Sequence, residues 1–385
     1  NTYQLNELLH RHGVGEKLRS QFVGTCLLAI KNGLIYDRKM KTAQIIGGIR
    51  TILEDLLEGS LKKAEKLTLI DKRVLKNQDV RDMDSENLCA ILDFIKDKIF
   101  PFINDKSTVG QDLLNLFFIT FNKYVGKSDK NQAFTPDHIT DFMAKICNVN
   151  KNSVVLDMAC GSGSFLVRAM TQALADCHTQ AEEDEVKKNH IYGVEYDELV
   201  YGLATTNMLI HSDGNSNIVQ GSCFNEVPRF IKDGVKFNVV LMNPPYNAMA
   251  KQMPKKYSET WGKSKQDPSK GLYFVKFILD QMNANDMQGK LAVLLPMACA
   301  IGNSTLMKQM KNAILKNTLD AVFSLPDDIF YPGASACACC MVFDVGTPHK
   351  TANRETFFAY CKDDGFKKRK NLGRVEQMDE NGNSL

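Results

Sequence analysis

Apolar positions in the first third of the chain recur at helical spacing. Phe22, Cys26, Leu27 and Ile30 fall on one face, as do Ile45, Ile46, Ile49, Ile52, Leu53 and Leu56. Strand-like runs are few before residue 128, so residues 1–128 are expected to form a helical domain. From Val154 onward, short apolar runs alternate with amphipathic stretches. The runs are Val154–Leu156, Ile191–Val194, Val239–Met242, Leu291–Leu295 and Leu319–Phe323. Parallel strands covered by helices on both faces read this way. Residues 129–385 are therefore expected to be an α/β domain, doubly wound around a mostly parallel sheet. A last strand near Cys337 to Phe343 follows without a long intervening helix, which predicts an antiparallel closing pair.

Two segments receive local readings. His178 to Asn189, rich in Glu and Lys, reads as an exposed loop or a helix end. Thr135 reads as a helix N-cap with Pro136 at the first helical position, ahead of an apolar face of Ile139, Phe142, Met143, Ile146 and Cys147.

Composition narrows the class. An apolar share of 44% with 24% charged residues is that of an ordinary globular protein, and 385 residues suit about two domains. No apolar run approaches the roughly 20 residues of a membrane span, and Asn1-Thr2-Tyr3-Gln4 is no signal peptide, so a cytoplasmic protein is expected. The opening without Met and the polar ending Asn381 to Leu385 suggest a piece of a longer chain. The 11 cysteines are scattered in mostly apolar surroundings and read as reduced core thiols. Alternation would set Cys337 and Cys339 on one strand face, and no paired C-x-x-C spacing supports a metal site. The net charge of +3 is too small to announce a nucleic-acid binder. Its distribution says more. Lys251, Lys255, Lys256, Lys263, Lys265 and Lys270 face only Glu259 and Asp267, and six basic residues between Lys362 and Arg374 face Asp363 and Asp364. Either patch could equally be a solvated loop.

Candidate chemistry begins where the first α/β strand enters Asp157-Met158-Ala159-Cys160-Gly161-Ser162-Gly163-Ser164-Phe165 and then a helix. Gly161 and Gly163 permit a tight turn and close approach by a nucleotide-like ligand, although such loops also serve dinucleotide enzymes. A carboxylate at Asp157 suits an ammonium group better than a pyrophosphate, which favours a cofactor bearing an amino acid. Glu195, at the end of the second strand, could accept both hydroxyls of a ribose, whereas Asp197 better suits the N-terminus of the following helix.

The most specific feature is Asn243-Pro244-Pro245-Tyr246, delivered straight from the apolar strand Val239–Met242. Pro-Pro cannot continue a central strand, so the backbone is fixed just beyond it. The Asn243 amide and the Pro244 carbonyl are left as two acceptors, matching the two N–H groups of an exocyclic amine. Held there, the amine directs its lone pair at an incoming methyl group, while Tyr246 can stack on a planar base at about 1–3 kcal/mol.

With these motifs the chain resembles the N6-adenine DNA methyltransferases, and in particular the modification subunits of type I restriction-modification systems. The resemblance covers most of the chain. It implies an S-adenosyl-L-methionine-dependent methyltransferase fold, with a seven-stranded type of sheet behind an N-terminal helical domain. It matches Asp157, Gly161, Gly163 and Phe165 to the cofactor loop, Glu195 to the ribose carboxylate, and Asn243, Pro244, Pro245 and Tyr246 to the catalytic motif. Phe134, Thr135 and Pro136 resemble the segment that closes over the methionine moiety, and their place upstream gives the gamma-class motif order. Implied partners are double-stranded DNA, a separate specificity subunit, a restriction subunit and a second modification subunit.

Two departures stand out. In Gly221-Ser222-Cys223-Phe224, Ser222 occupies the position where the family usually has an Asp against the cofactor adenine, leaving Ser222 and Cys223 as the candidates there. The chain also ends soon after the family-typical Asp363-Asp364-Gly365-Phe366, with no recognisable target-recognition domain. Rival readings are a methyltransferase for a protein glutamine or an RNA guanine amine, an inactive cofactor-binding scaffold, and a dinucleotide-dependent dehydrogenase. The last leaves the Asn-Pro-Pro-Tyr turn idle.

Overall fold

A computed structural model describes residues 1–102, 135–211, 217–259, 261, 265–331, 337–369 and 373–380. The chain divides into two compact units, one of residues 1–128, 150–152 and 160–221, the other of residues 129–149, 153–159 and 222–385.

The first unit is built on helices whose spacing the apolar pattern dictates. The helix Thr42–Leu56 buries Ile45, Ile49 and Leu53, one every turn or so, while Ile46, Ile52 and Leu56 flank that stripe half-buried. Each such burial is worth about 1.5–3 kcal/mol. The helix Glu16–Lys31 is buried along most of its length, with Phe22, Cys26 and Leu27 in the same core as Leu203, Leu209 and Ile210 of the helix Glu198–Ile210. Helix starts follow capping chemistry: the Asn77 and Asp84 side chains accept the Asp79 and Asn87 backbone N–H groups.

Eight strands form one sheet: β1 (Val155–Asp157), β2 (Ile191–Glu195), β3 (Asn217–Gln220), β4 (Val239–Met242), β5 (Gly289–Pro296), β6 (Thr318–Ser324), β7 (Ala338–Val345) and β8 (Phe357–Tyr360). Their order is β3-β2-β1-β4-β5-β7-β6-β8. The fold is α/β with a mostly parallel sheet, as the alternation of apolar runs implies. β4 aligns Val239 with Val155 of β1 and with Lys290 of β5, parallel on both sides. β7 runs against both its neighbours, pairing antiparallel with β5 and β6, as expected for the closing pair. β4 is buried at all four positions, and so on both faces of the sheet, which is why it reads as a continuous apolar run. A separate hairpin pairs β9 (Phe366–Arg369) with β10 (Gly373–Glu376).

Residues 180–189 form a full helix rather than a loop, fixed by a capping box between Thr179 and Glu182. Its Glu182 carboxyl is pulled down to about 2, mainly by the Lys151 ammonium 2.6 Å away. Thr135 is not the N-cap of the next helix. Pro136 holds that position with extended torsions (φ −61°, ψ 145°), its carbonyl accepts the Ile139 and Thr140 N–H groups, and the helix is Asp137–Ile146. Cys337 lies exposed ahead of β7, while Cys339 and Cys340 are both buried because β7 is covered on both faces. β3 and β8 escape the apolar-run reading because Asn217–Gln220 carries only two apolar residues and Phe357–Tyr360 is a largely exposed edge strand.

Candidate functional site

The glycine loop between β1 and the helix Ser164–Ala175 is shaped by two left-handed residues, Gly161 (φ +56°) and Gly163 (φ +87°). That region is costly for residues bearing a Cβ, and nothing lies within 4 Å of where a Cβ on Gly161 would point, so the loop leaves an open cradle there. Asn207, fully buried on the helix Glu198–Ile210, donates from Nδ2 to the Ser162 carbonyl at 2.9 Å and fixes the loop from behind. Phe165 is buried in the first turn of its helix.

Glu195 ends β2 and faces the loop. Its Oε2 accepts the Gly161 N–H at 2.9 Å and its Oε1 the Asp197 N–H at 2.8 Å. Each carboxylate oxygen has a further lone pair for a hydroxyl donor. Burial pushes the carboxyl up to about 7 despite the amide donors of Asp197, Gly161 and Tyr196, with the charge of Asp197 adding to the rise. Asp197 is a cap, accepting the Leu199 and Val200 N–H groups, as its position in the sequence suggests.

In the second unit, Asp157 is 1% exposed, and its Oδ1 accepts the Ala159 N–H at 3.0 Å, which bends the chain out of β1. Ser222 precedes the helix Cys223–Lys232 as its N-cap residue, with no side-chain cap bond, and Cys223 and Phe224 are buried behind it. Phe224 sits in an aromatic group, its ring 4.8 Å from Phe277 and 5.2 Å from Phe274.

Asn243 follows β4 directly, and its Nδ2 donates to Thr135 Oγ1 at 3.2 Å. The amide nitrogen is thus turned to Thr135. Thr135 is 6% exposed and Pro136 adjoins it, whereas Phe134 lies outside the described residues. Pro244 is buried and Pro245 exposed. The Tyr246 ring meets Phe330 edge-on at 6.4 Å. Its hydroxyl is buried without a hydrogen-bond partner among the described residues, and burial beside Cys339, Cys299 and Cys340 raises it well above the usual phenol range.

The turn is braced by a segment that the lysine-rich stretch conceals in the sequence. Asp267, 1% exposed, accepts N–H bonds from Ser269 at 2.7 Å and Gly271 at 2.9 Å. Gly271 has φ +100°, and a Cβ there would stand 3.1 Å from Leu295 Cδ2 and 3.2 Å from Pro244 Cγ. Lys270 Nζ reaches Asn247 Oδ1 at 3.1 Å. Lys251, Lys255, Lys256 and Lys265 are exposed, and Lys263 lies outside the described residues. No group of His, Cys, Asp and Glu among the described residues could hold a metal ion. No described helix is long and apolar enough to cross a membrane.

The family model described as "N-6 DNA Methylase" matches residues 111–381. The chain belongs to the N-6 DNA methylase family. Among curated relatives of this family member, a type II restriction enzyme and methyltransferase, RM.BcgI of Heyndrickxia coagulans, is 30% identical over 98% of the chain and 59% of the relative. The methylase subunit of the type I restriction enzyme EcoEI of Escherichia coli is 26% identical over 61% of the chain and 46% of the relative. The chain thus spans about half the length of these relatives. The N-6 DNA methylase fold is shared with a solved modification subunit of a putative type I restriction enzyme from Vibrio vulnificus, with a TM-score of 0.61 at 18% identity over 87% of this chain and 66% of that one.

Proposed function

We propose that this chain transfers a methyl group from S-adenosyl-L-methionine to the N6 amino group of an adenine in double-stranded DNA, as the modification component of a restriction-modification system. The observation that carries the reading is the Asn243-Pro244-Pro245-Tyr246 turn set directly after the buried strand β4, with Asn243 Nδ2 donating to Thr135 Oγ1. Asn243 Oδ1 and the Pro244 carbonyl would each take one N–H of the amine, aligning its lone pair without a strong base. Flipping the base costs a few kcal/mol, and stacking on Tyr246 offsets part of it. Pro245 holds the backbone of that turn.

The residues present fit the cofactor. The open cradle at Gly161 gives room beside a backbone, Glu195 offers acceptors to a ribose, and buried Asp157 is a carboxylate rather than the cation a pyrophosphate would call for. When bound, S-adenosyl-L-methionine supplies an electrophilic methyl group on a sulfonium. Asp157, Gly161, Gly163, Phe165 and Glu195 would hold its amino acid and ribose. Thr135 and Pro136, with Phe134 upstream, would cover its methionine end. Ser222 and Cys223 would border its adenine, with the Ser222 hydroxyl as a neutral acceptor.

By this reading residues 1–128 are a helical domain and residues 129–385 the catalytic domain. The partners are DNA, drawn by the exposed lysines of residues 251–270, a separate specificity subunit, a restriction subunit and a second modification subunit, all in the cytoplasm. The test is mass spectrometry of nucleosides from unmethylated DNA incubated with labelled cofactor and the chain, with and without a specificity subunit. N6-methyl-2′-deoxyadenosine is expected. Its absence, with methyl label in protein glutamine or RNA instead, would overturn the reading.

A further inference from the structure

The Asp363-Asp364-Gly365-Phe366 stretch has no part in the chemistry above, yet it lies at the centre of a dense polar network. Asp364 accepts two bonds from Arg374, Nη1 to Oδ2 at 2.7 Å and Nη2 to Oδ1 at 2.6 Å. It also stands 2.8 Å from His138 Nε2, which donates to the same carboxylate. The Arg374 side chain is only 7% exposed and pairs with Asp328 at 3.2 Å. Phe366 stacks on the His138 ring, centroids 4.7 Å apart and planes at 13°, and the Arg374 guanidinium lies 5.7 Å from its centroid. These contacts lock the β9–β10 hairpin onto one residue of the helix Asp137–Ile146.

That residue, His138, is in the first helical turn, three positions after Thr135. Between them Pro136 has a ring-fixed φ and Asp137 is already helical, so the link is short and stiff. A buried ion pair is by itself a poor source of stability, whereas a bidentate pair backed by a stacked ring fixes geometry closely. We infer that Asp364, Arg374 and His138 are positioning residues. They set the Thr135 hydroxyl and, through it, the orientation of the Asn243 amide. The inference rests on the proposed role of Asn243 for its catalytic consequence but not for its structural one.

The test uses the full chain labelled with 15N-asparagine, the Asn243 side-chain signals being assigned by their loss in Asn243→Asp. Asp364→Asn and His138→Ala should each shift or broaden those signals, as Thr135→Val does, and add nothing further in the Thr135→Val background. Methyl-transfer turnover should fall about tenfold in Asp364→Asn with cofactor Kd unchanged, and the loss should not multiply with that of Thr135→Val. If Asp364→Asn fails to fold, His138→Ala, which removes one bond and one ring, carries the test. Unmoved Asn243 signals, or losses that multiply, would overturn the inference. A wild-type chain that transfers no methyl group yet shows the coupled signals would sink the functional reading and leave the network standing.

Discussion

Asn243 Nδ2 and Thr135 Oγ1, 108 positions apart in the chain, are joined by a hydrogen bond of 3.2 Å. In this bond the Thr135 hydroxyl accepts from the Asn243 amide nitrogen. Replacing Thr135 by Val keeps the shape and removes the acceptor. A bond of this kind is worth about 1 kcal/mol, so Thr135→Val should slow methyl transfer about five- to tenfold while cofactor affinity stays within about threefold. Single-turnover kinetics with calorimetric binding checks both parts.

Tyr246 separates a ring that the reading uses from a hydroxyl that it does not. The hydroxyl is buried without a partner among the described residues, and leaving such a group unsatisfied costs about 1–3 kcal/mol. Tyr246→Phe should therefore raise the melting temperature and retain transfer, whereas Tyr246→Ala should weaken binding of DNA carrying a flipped or mismatched adenine. Thermal denaturation and fluorescence titration would show the two effects apart.

With Glu195 as the proposed ribose acceptor, cofactor affinity is expected to depend on pH. Its carboxyl titrates at about 7 in the free protein because burial disfavours the charge. A ribose that donates to the carboxylate favours the ionised form, so binding lowers this value and releases a proton. Affinity should be flat above pH 8 and fall as pH drops through 7, and Glu195→Gln should abolish the dependence. Without cofactor the sign for stability is opposite: the raised value stabilises the fold below the ordinary glutamate range, and that contribution is lost as pH rises through 7. Calorimetry in buffers of different ionisation heat measures the released proton.

Gly271 tests the brace beneath the turn of Asn243 to Tyr246. Its left-handed torsion and the 3.2 Å approach of Pro244 leave little room for a methyl group. Gly271→Ala should cost about 1–3 kcal/mol of stability and lower turnover by shifting Pro244. Unaltered melting and turnover would mean that the brace is slack.

Much of this was legible in the sequence, and the reasons are local. β4 could be placed to the residue because Val239–Met242 is a buried apolar run stopped by Pro244. Gly161 and Gly163 declared the loop because left-handed torsions select glycine. The contacts that orient the site were not legible. Thr135 meets Asn243, and His138 meets Asp364 226 positions away, only once the chain is folded. Asp267 was hidden by its lysine neighbours, since charge in a basic stretch reads as solvated surface while this carboxylate is buried. Thr135 followed by Pro136 imitates a helix start closely, and the competing partner that withdrew its hydroxyl lies in another part of the sequence.

The central claim is that Asn243 and Pro244 present the acceptors that hold the adenine amine. The most direct measurement compares single-turnover methyl transfer to adenine in DNA by the wild-type chain and by Asn243→Ala, each with its cofactor Kd determined in parallel. Removing a preorganised hydrogen-bonding group at the reacting centre costs about 10²–10³-fold in comparable cases. The predicted result is a loss of at least that size with cofactor Kd changed by less than about threefold. Transfer retained by Asn243→Ala at near wild-type rate would contradict the account.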